Sequence, residues 1–129
     1  MDIYQINYRW SFWRNSELAD KLIGLVLSGQ KTATTGLYLE EERYGTVGEY
    51  ALIYDEWTGK NICIIQYTQV EVKLFLDVNF EYIQKEWEWD TSIESWRTSH
   101  RDFYLREYLG KFDEDSLVVC EEFILIQTL

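Results

Sequence analysis

Ser28-Gly29-Gln30-Lys31-Thr32-Ala33-Thr34-Thr35 is a run of hydroxyls around one cation, and it follows a strongly apolar segment. In that segment Leu18, Leu22, Leu25 and Val26 recur at helical spacing. Asn15 and Ser16 offer caps, Glu17 falls in the first turn and Gly29 supplies a stop, which predicts a helix over residues 16–28. The Gly-x-Lys-Thr string invites a phosphate-loop reading. That loop needs Lys directly after its second Gly, a strand before it and a helix after it, so that backbone N–H groups and the positive helix end meet the phosphates. Here Gln30 intervenes and the helix comes first, so the phosphate loop is excluded. The cation instead follows a helix C-terminus, whose partial negative charge favours it. Two readings stand. In one, Lys31 satisfies the last helical carbonyls and the threonines make turn hydrogen bonds. In the other, Thr34 is a nucleophile, and Lys31 removes its proton or stabilises developing negative charge. A lysine neutral near pH 7 needs desolvation or neighbouring cations. A charged Lys31, with a carboxylate taking the proton, is therefore the easier arrangement.

Upstream, Tyr4, Ile6, Tyr8 and Trp10 alternate with Gln5, Asn7 and Arg9, the period of a half-buried strand or an extended arm. Residues 1–9 could thus pack on a partner chain, and a homodimer is open to the molecule. Downstream comes an acidic, Gly-punctuated loop over 40–48 and then two β-rich runs, 49–55 and 61–75. They predict a hairpin whose second strand is long and bent. Asp77 or Asn79 could cap a short helix over 80–85. Thr91 and Glu94 fit a capping box for a helix that carries Trp96, His100, Phe103 and Tyr104 along one stripe as far as Gly110. The last run, 117–126, is apolar on both faces except at Glu121 and Glu122, as a central strand would be. Strands are not regularly separated by crossover helices. This order argues against a doubly wound parallel sheet and for a small α+β fold, a mostly antiparallel barrel or sheet with helices beside it.

With 129 residues, 47% of them hydrophobic and 17% aromatic, the chain can bury one core and is expected to form a single domain. A net charge of −11 opposes non-specific capture of nucleic-acid phosphates, although a local basic groove is compatible with it. Cys63 and Cys120 sit in apolar strand-like runs and read as buried thiols rather than a bridge. With one histidine, His100, and no Cys or His pair at ligand spacing, neither a metal nor another cofactor is expected. The absence of a signal peptide and of a spanning apolar run predicts a soluble, cytoplasmic protein with no membrane partner.

Glu86, Glu88 and Asp90 supply candidate carboxylates, either as a solvated acidic loop or as part of a site. Trp87 and Trp89 alternate with them, which suits a base-stacking or lid role. His100 reads as a packed core residue or an acid–base group. Arg97 reads as a surface charge or a contact to a phosphate or carboxylate.

These residues carry a resemblance. Glu17-Leu18-Ala19-Asp20 with Leu25-Val26, Gly29 to Thr34, Val47-Gly48-Glu49-Tyr50, Phe75-Leu76-Asp77-Val78, Trp96-Arg97 with His100, and Val118 to Glu121 with Phe123 resemble the ASCH domain family, relatives of the PUA domains of RNA-binding proteins. The resemblance implies a PUA-like β-barrel flanked by helices, with the Lys-Thr loop opening on a cleft. One branch of the family is similar to amidohydrolases that deacetylate N4-acetylcytidine; others are thought to bind or cleave RNA. Carried over, the amidohydrolase pattern places its lysine on Lys31, its threonine nucleophile on Thr34 and its acidic partner on Glu86. Thr32, Trp96, Arg97 and His100 are expected on the substrate, a small nucleoside or RNA. Relatives interleave glycines with the acids where this chain has Trp87 and Trp89. The alternatives to amidohydrolysis are an RNA-binding module with weak ribonuclease activity and a non-catalytic interaction domain.

Overall fold

The computed structural model describes residues 4–12, 14–87 and 92–129. In chain order the strands are β1 (Ile6–Trp10), β2 (Ala33–Leu37), β3 (Tyr50–Tyr54), β4 (Asn61–Leu74) and β5 (Leu117–Thr128). The helices are α1 (Ser16–Leu27), α2 (Phe80–Ile83) and α3 (Ile93–Glu107). The sheet order is β1-β3-β4-β5-β2. β1 runs parallel to β3, and the other neighbours are antiparallel.

The expected hairpin is β3–β4. Its turn is closed by the Asp55 amide on the Lys60 carbonyl (2.8 Å) and by Gly59 at φ +74°, a conformation that costs glycine no Cβ clash. β4 and β5 pair along almost their whole length, with register shifts near Ile64 and Tyr67 that bend the long strand. β5 lies between β4 and β2, which is why its residues are apolar on both faces.

Helix α1 begins where Asn15 accepts the Leu18 amide and ends one residue before Ser28. Gly29, at φ +80°, then turns the chain so that the Gln30 and Lys31 amides close on the Leu25 carbonyl, each at 3.0 Å. The main chain thus satisfies the helix end, and the Lys31 ammonium is released for use elsewhere. Helix α3 is capped by Ser92, whose hydroxyl accepts the Ser95 amide at 3.0 Å, one residue beyond the expected cap. Thr91 itself, with Glu88, Trp89 and Asp90, lies outside the described residues.

The α+β class stands, but two expectations are corrected. The threonines of 32–35, for which one of the two readings expects turn hydrogen bonds, fall largely in a strand, β2. Its five residues have no clear hydrophobic period and become extended because β5 offers a ladder from Ala33↔Glu122 to Leu37↔Val118. The barrel is also absent. The sheet is open, with one parallel pair, and among the described residues no ladder joins its edges β1 and β2. The physical reason is that the two edges face a cleft lined by Tyr8, Trp10, Thr34 and Gly36. Side chains and space stand where closing hydrogen bonds would run.

Each face of the sheet has its own core. Ala19, Leu22 and Val26 of α1 pack on Ala51, Ile53 and Ile65. On the opposite side Phe75, Trp96 and Tyr104 pack on Val118 and Cys120. Each large apolar side chain so buried contributes about 1.5–3 kcal/mol. Cys63 and Cys120 are buried free thiols, as their apolar neighbours suggested.

Candidate functional site

Period-two alternation along β2 sends Ala33, Thr35 and Leu37 toward the α2–α3 core, with Thr34 and Gly36 on the other face. Tyr82 of α2 fixes this arrangement. Its hydroxyl donates to the Thr34 carbonyl at 2.8 Å and accepts from the Thr35 hydroxyl at 3.0 Å. Burial raises the Tyr82 phenol far above the ordinary tyrosine range, so it remains a donor. Thr34 therefore has a pinned backbone, and its hydroxyl makes no hydrogen bond among the described residues.

Thr34 faces a cleft of about 590 Å³, within the range that takes a small organic ligand. Tyr8 and Trp10 of β1, Tyr44 of the β2–β3 loop, and His100 and Phe103 of α3 form much of its wall. The phenols of Tyr8 and Tyr44 are pushed up to about 12, mainly by burial, and stay protonated near neutral pH. Arg9, Arg14 and Arg43 line the cleft together with Glu42, Glu107 and Glu121, so its charges balance in a protein of net charge −11.

Lys31 and Glu86 lie behind this wall, each 1% exposed. The Lys31 ammonium donates to the Glu86 main-chain carbonyl at 3.1 Å and stands 5.8 Å from the centre of the Phe12 ring, which lines the cleft. The Glu86 carboxylate takes the Trp96 indole N–H at 2.5 Å through Oε2, and its Oε1 lies 3.9 Å from His100 Nε2. The His100 Nδ1 is 3.0 Å from the Trp96 carbonyl. A carbonyl only accepts, so Nδ1 carries the proton and Nε2 faces Glu86. The imidazole stacks on Trp96 with centroids 4.1 Å apart. His100 thus lines the cleft and also approaches the Glu86 carboxylate.

The expected residues consequently divide. Lys31, Glu86, Trp96 and His100 form one buried cluster, and Thr34 shares with it only the cleft that His100 also lines. Thr32 acts through its backbone, donating to the Lys85 carbonyl and accepting from the Phe123 amide. Arg97 turns away to the Leu76 carbonyl at 2.9 Å. Neither Thr32 nor Arg97 lines the cleft. Trp87, 53% exposed, has φ 55° and is the one non-glycine residue with positive φ among those described. That conformation favours glycine.

Sequence reasoning passed over Glu121. It is 7% exposed and lines the cleft, and its Oε2 accepts the Gly45 amide at 2.8 Å. Burial raises its carboxyl to about 7. The available signal was the acidic break in an otherwise apolar central strand.

Fold and site together define a small α+β fold that encloses a ligand-sized cleft at the open edge of its sheet. Residues 8–127 match the ASCH domain family model, and the chain belongs to the ASCH domain family. It is similar to a protein from Enterococcus faecalis, with 30% identity and a TM-score of 0.81 over 100% of this chain and 85% of the other. It is likewise similar to an ASCH domain from Lactobacillus crispatus, with 31% identity and a TM-score of 0.79 over 93% and 80% of the two chains. An ASCH protein from Zymomonas mobilis, at 12% identity and a TM-score of 0.57 over 94% and 71%, shares the fold. No match is found among the curated proteins. No helix among the described residues is long and apolar enough to cross a membrane.

Proposed function

We propose that the cleft binds a nucleoside and hydrolyses an acyl group from its exocyclic amine, as in N4-acetylcytidine, by acyl transfer to Thr34. One observation carries this reading: Thr34, with its hydroxyl available, and His100, backed by Glu86, share the wall of the same ligand-sized cleft. In the first step the Thr34 oxygen bonds to the acyl carbon, and its proton passes toward the His100–Glu86 pair. The C–N bond then breaks, and the departing amine takes a proton. Water next attacks the threonine ester, releasing the carboxylic acid and restoring Thr34. The Lys31 ammonium stands behind the cleft, where its charge favours the negative charge that develops on the acyl oxygen. The aromatic wall suits a base, and an uncharged nucleoside suits an acidic protein. Incubation with N4-acetylcytidine is expected to release cytidine, and Thr34→Ala is expected to slow release by about 10³-fold or more. No release by the wild type, or equal release by Thr34→Ala, sinks the proposal.

A second reading, binding of single-stranded RNA, is favoured by Arg9, Arg14 and Arg43 along the same cleft. It predicts binding that weakens steeply with added salt. Absence of binding at low salt removes it.

A further inference from the structure

Glu121 stands on β5 directly opposite Thr34 on β2. Opposed residues of an antiparallel pair project to one face with Cβ atoms about 4.5–5.5 Å apart, and both residues line the cleft. The carboxylate has a built seat. Its Oε2 accepts the Gly45 amide at 2.8 Å. Gly45 reaches that position because it has no Cβ, which would fall 2.5 to 2.7 Å from three atoms of the Tyr67 ring. The ring is itself 1% exposed, and its hydroxyl receives the Trp10 indole N–H at 2.9 Å.

Other groups around Glu121 leave it without a counter-charge in contact. From β1 and β4 it faces the Tyr8 and Tyr67 phenols, and from the intervening loop Tyr44, Arg43 and Glu49. The Arg43 guanidinium is committed to Glu49 and to the face of Tyr8, 4.7 Å from the ring centre. Glu121 enters no ion pair among the described residues. A desolvated carboxylate held by one amide gains strongly from any further donor. When ionised it accepts only, so a ligand oxygen placed against it is repelled.

We propose that Glu121, seated on the Gly45 amide beside Thr34, is the specificity residue of the cleft: it accepts a hydrogen bond from the exocyclic amino group of the bound base and so selects amino-bearing pyrimidines over their keto counterparts. This rests on the nucleoside reading above. It adds a residue outside the Lys31–Thr34–Glu86 set and says which edge of the base is read.

Cytidine and uridine differ in this amino-to-keto exchange and serve as probes in equilibrium titrations of the wild type and of Glu121→Gln, at pH 8 and pH 6. At pH 8 the wild type is expected to prefer cytidine by about tenfold or more, the discrimination of a charge-assisted hydrogen bond. The preference shrinks at pH 6, where a protonated Glu121 can also donate to the keto oxygen. Glu121→Gln, which presents both a donor and an acceptor, is expected to bind the two nucleosides within about threefold at both pH values. Equal wild-type affinities at pH 8, a wild-type preference unchanged by pH, or full preference in a Glu121→Gln that retains the wild-type circular dichroism spectrum would each overturn this assignment while leaving nucleoside binding intact. The wild-type pH comparison decides the matter if the variant misfolds. No saturable binding of either nucleoside removes the nucleoside reading and this inference together.

Discussion

Gly45→Ala places a methyl group where the structure has no room. The added Cβ lies 2.5 Å from Tyr67 Cε2, 2.6 Å from Cζ and 2.7 Å from Cδ2, about 1 Å inside ordinary carbon contact. Retreat of the ring is blocked, since it is 1% exposed, tied through its hydroxyl to Trp10 and packed near Tyr8 at a centroid distance of 6.4 Å. The loop backbone must yield instead, which stretches the bond from the Gly45 amide to Glu121. Overpacking costs about 1–3 kcal/mol, and weakening a buried charge-assisted bond adds about 1 kcal/mol or more. We expect a loss of about 3 kcal/mol and a fall in Tm on the order of 10 °C. Urea denaturation of the wild type, Gly45→Ala, Tyr67→Leu and the double variant checks the cause. Leucine vacates the contested space, so the double variant should be about 2 kcal/mol more stable than the sum of the single changes. Tyr67→Phe keeps the ring and gives no such relief. A Gly45→Ala protein within about 0.5 kcal/mol of the wild type, or strict additivity with Tyr67→Leu, refutes the steric argument.

Three further outcomes are expected. The folded-state pKa of Glu121, about 7 against the usual 4.5, means that the folded protein holds this proton more tightly than the unfolded chain. The stability it contributes is present below about 4.5 and lost as pH rises through about 7, a change on the order of 3 kcal/mol. Urea titrations from pH 5 to pH 8 should show that decline in the wild type and a flatter profile in Glu121→Gln. Cys63 and Cys120, their thiols pushed up to about 11 and about 12 by burial, should react with an aromatic disulfide reagent at pH 8 only after denaturation; rapid labelling of the native protein contradicts their placement. At position 87, where φ is 55°, Trp87→Val should be less stable than Trp87→Gly by about 1–2 kcal/mol, measured by thermal melting. Equal stabilities would show that this backbone conformation is relaxed in solution.

Much of the fold is legible in local pattern. The α1 spacing with Asn15 and Gly29, the β3–β4 hairpin and the doubly apolar β5 each follow from residues near one another in the chain. β2 does not, because Ala-Thr-Thr-Gly-Leu has no decisive period and becomes a strand only against the free edge of β5. The site divides in the same way. Lys31, Thr34 and Glu86 are visible through motif and resemblance. What the Lys31 ammonium reaches depends on a turn 55 residues away. Glu121 reads as a flaw in an apolar strand until β2 sets Thr34 beside it and the loop brings Gly45 over it.

By itself, then, the sequence determined the α+β class, the family, the helix-first order that excludes a phosphate loop, and the chemical repertoire around residues 28–35. The family rests on the resemblance of its motifs, and the other features rest on propensity, capping and periodicity, which act over a few residues. The tertiary structure decided that the sheet stays open, that a cleft occupies the gap between β1 and β2, that Lys31 and Glu86 sit behind its wall, and that Glu121 lines it. These are outcomes of pairing and burial between distant segments, where the winning contact depends on everything else competing for the same space.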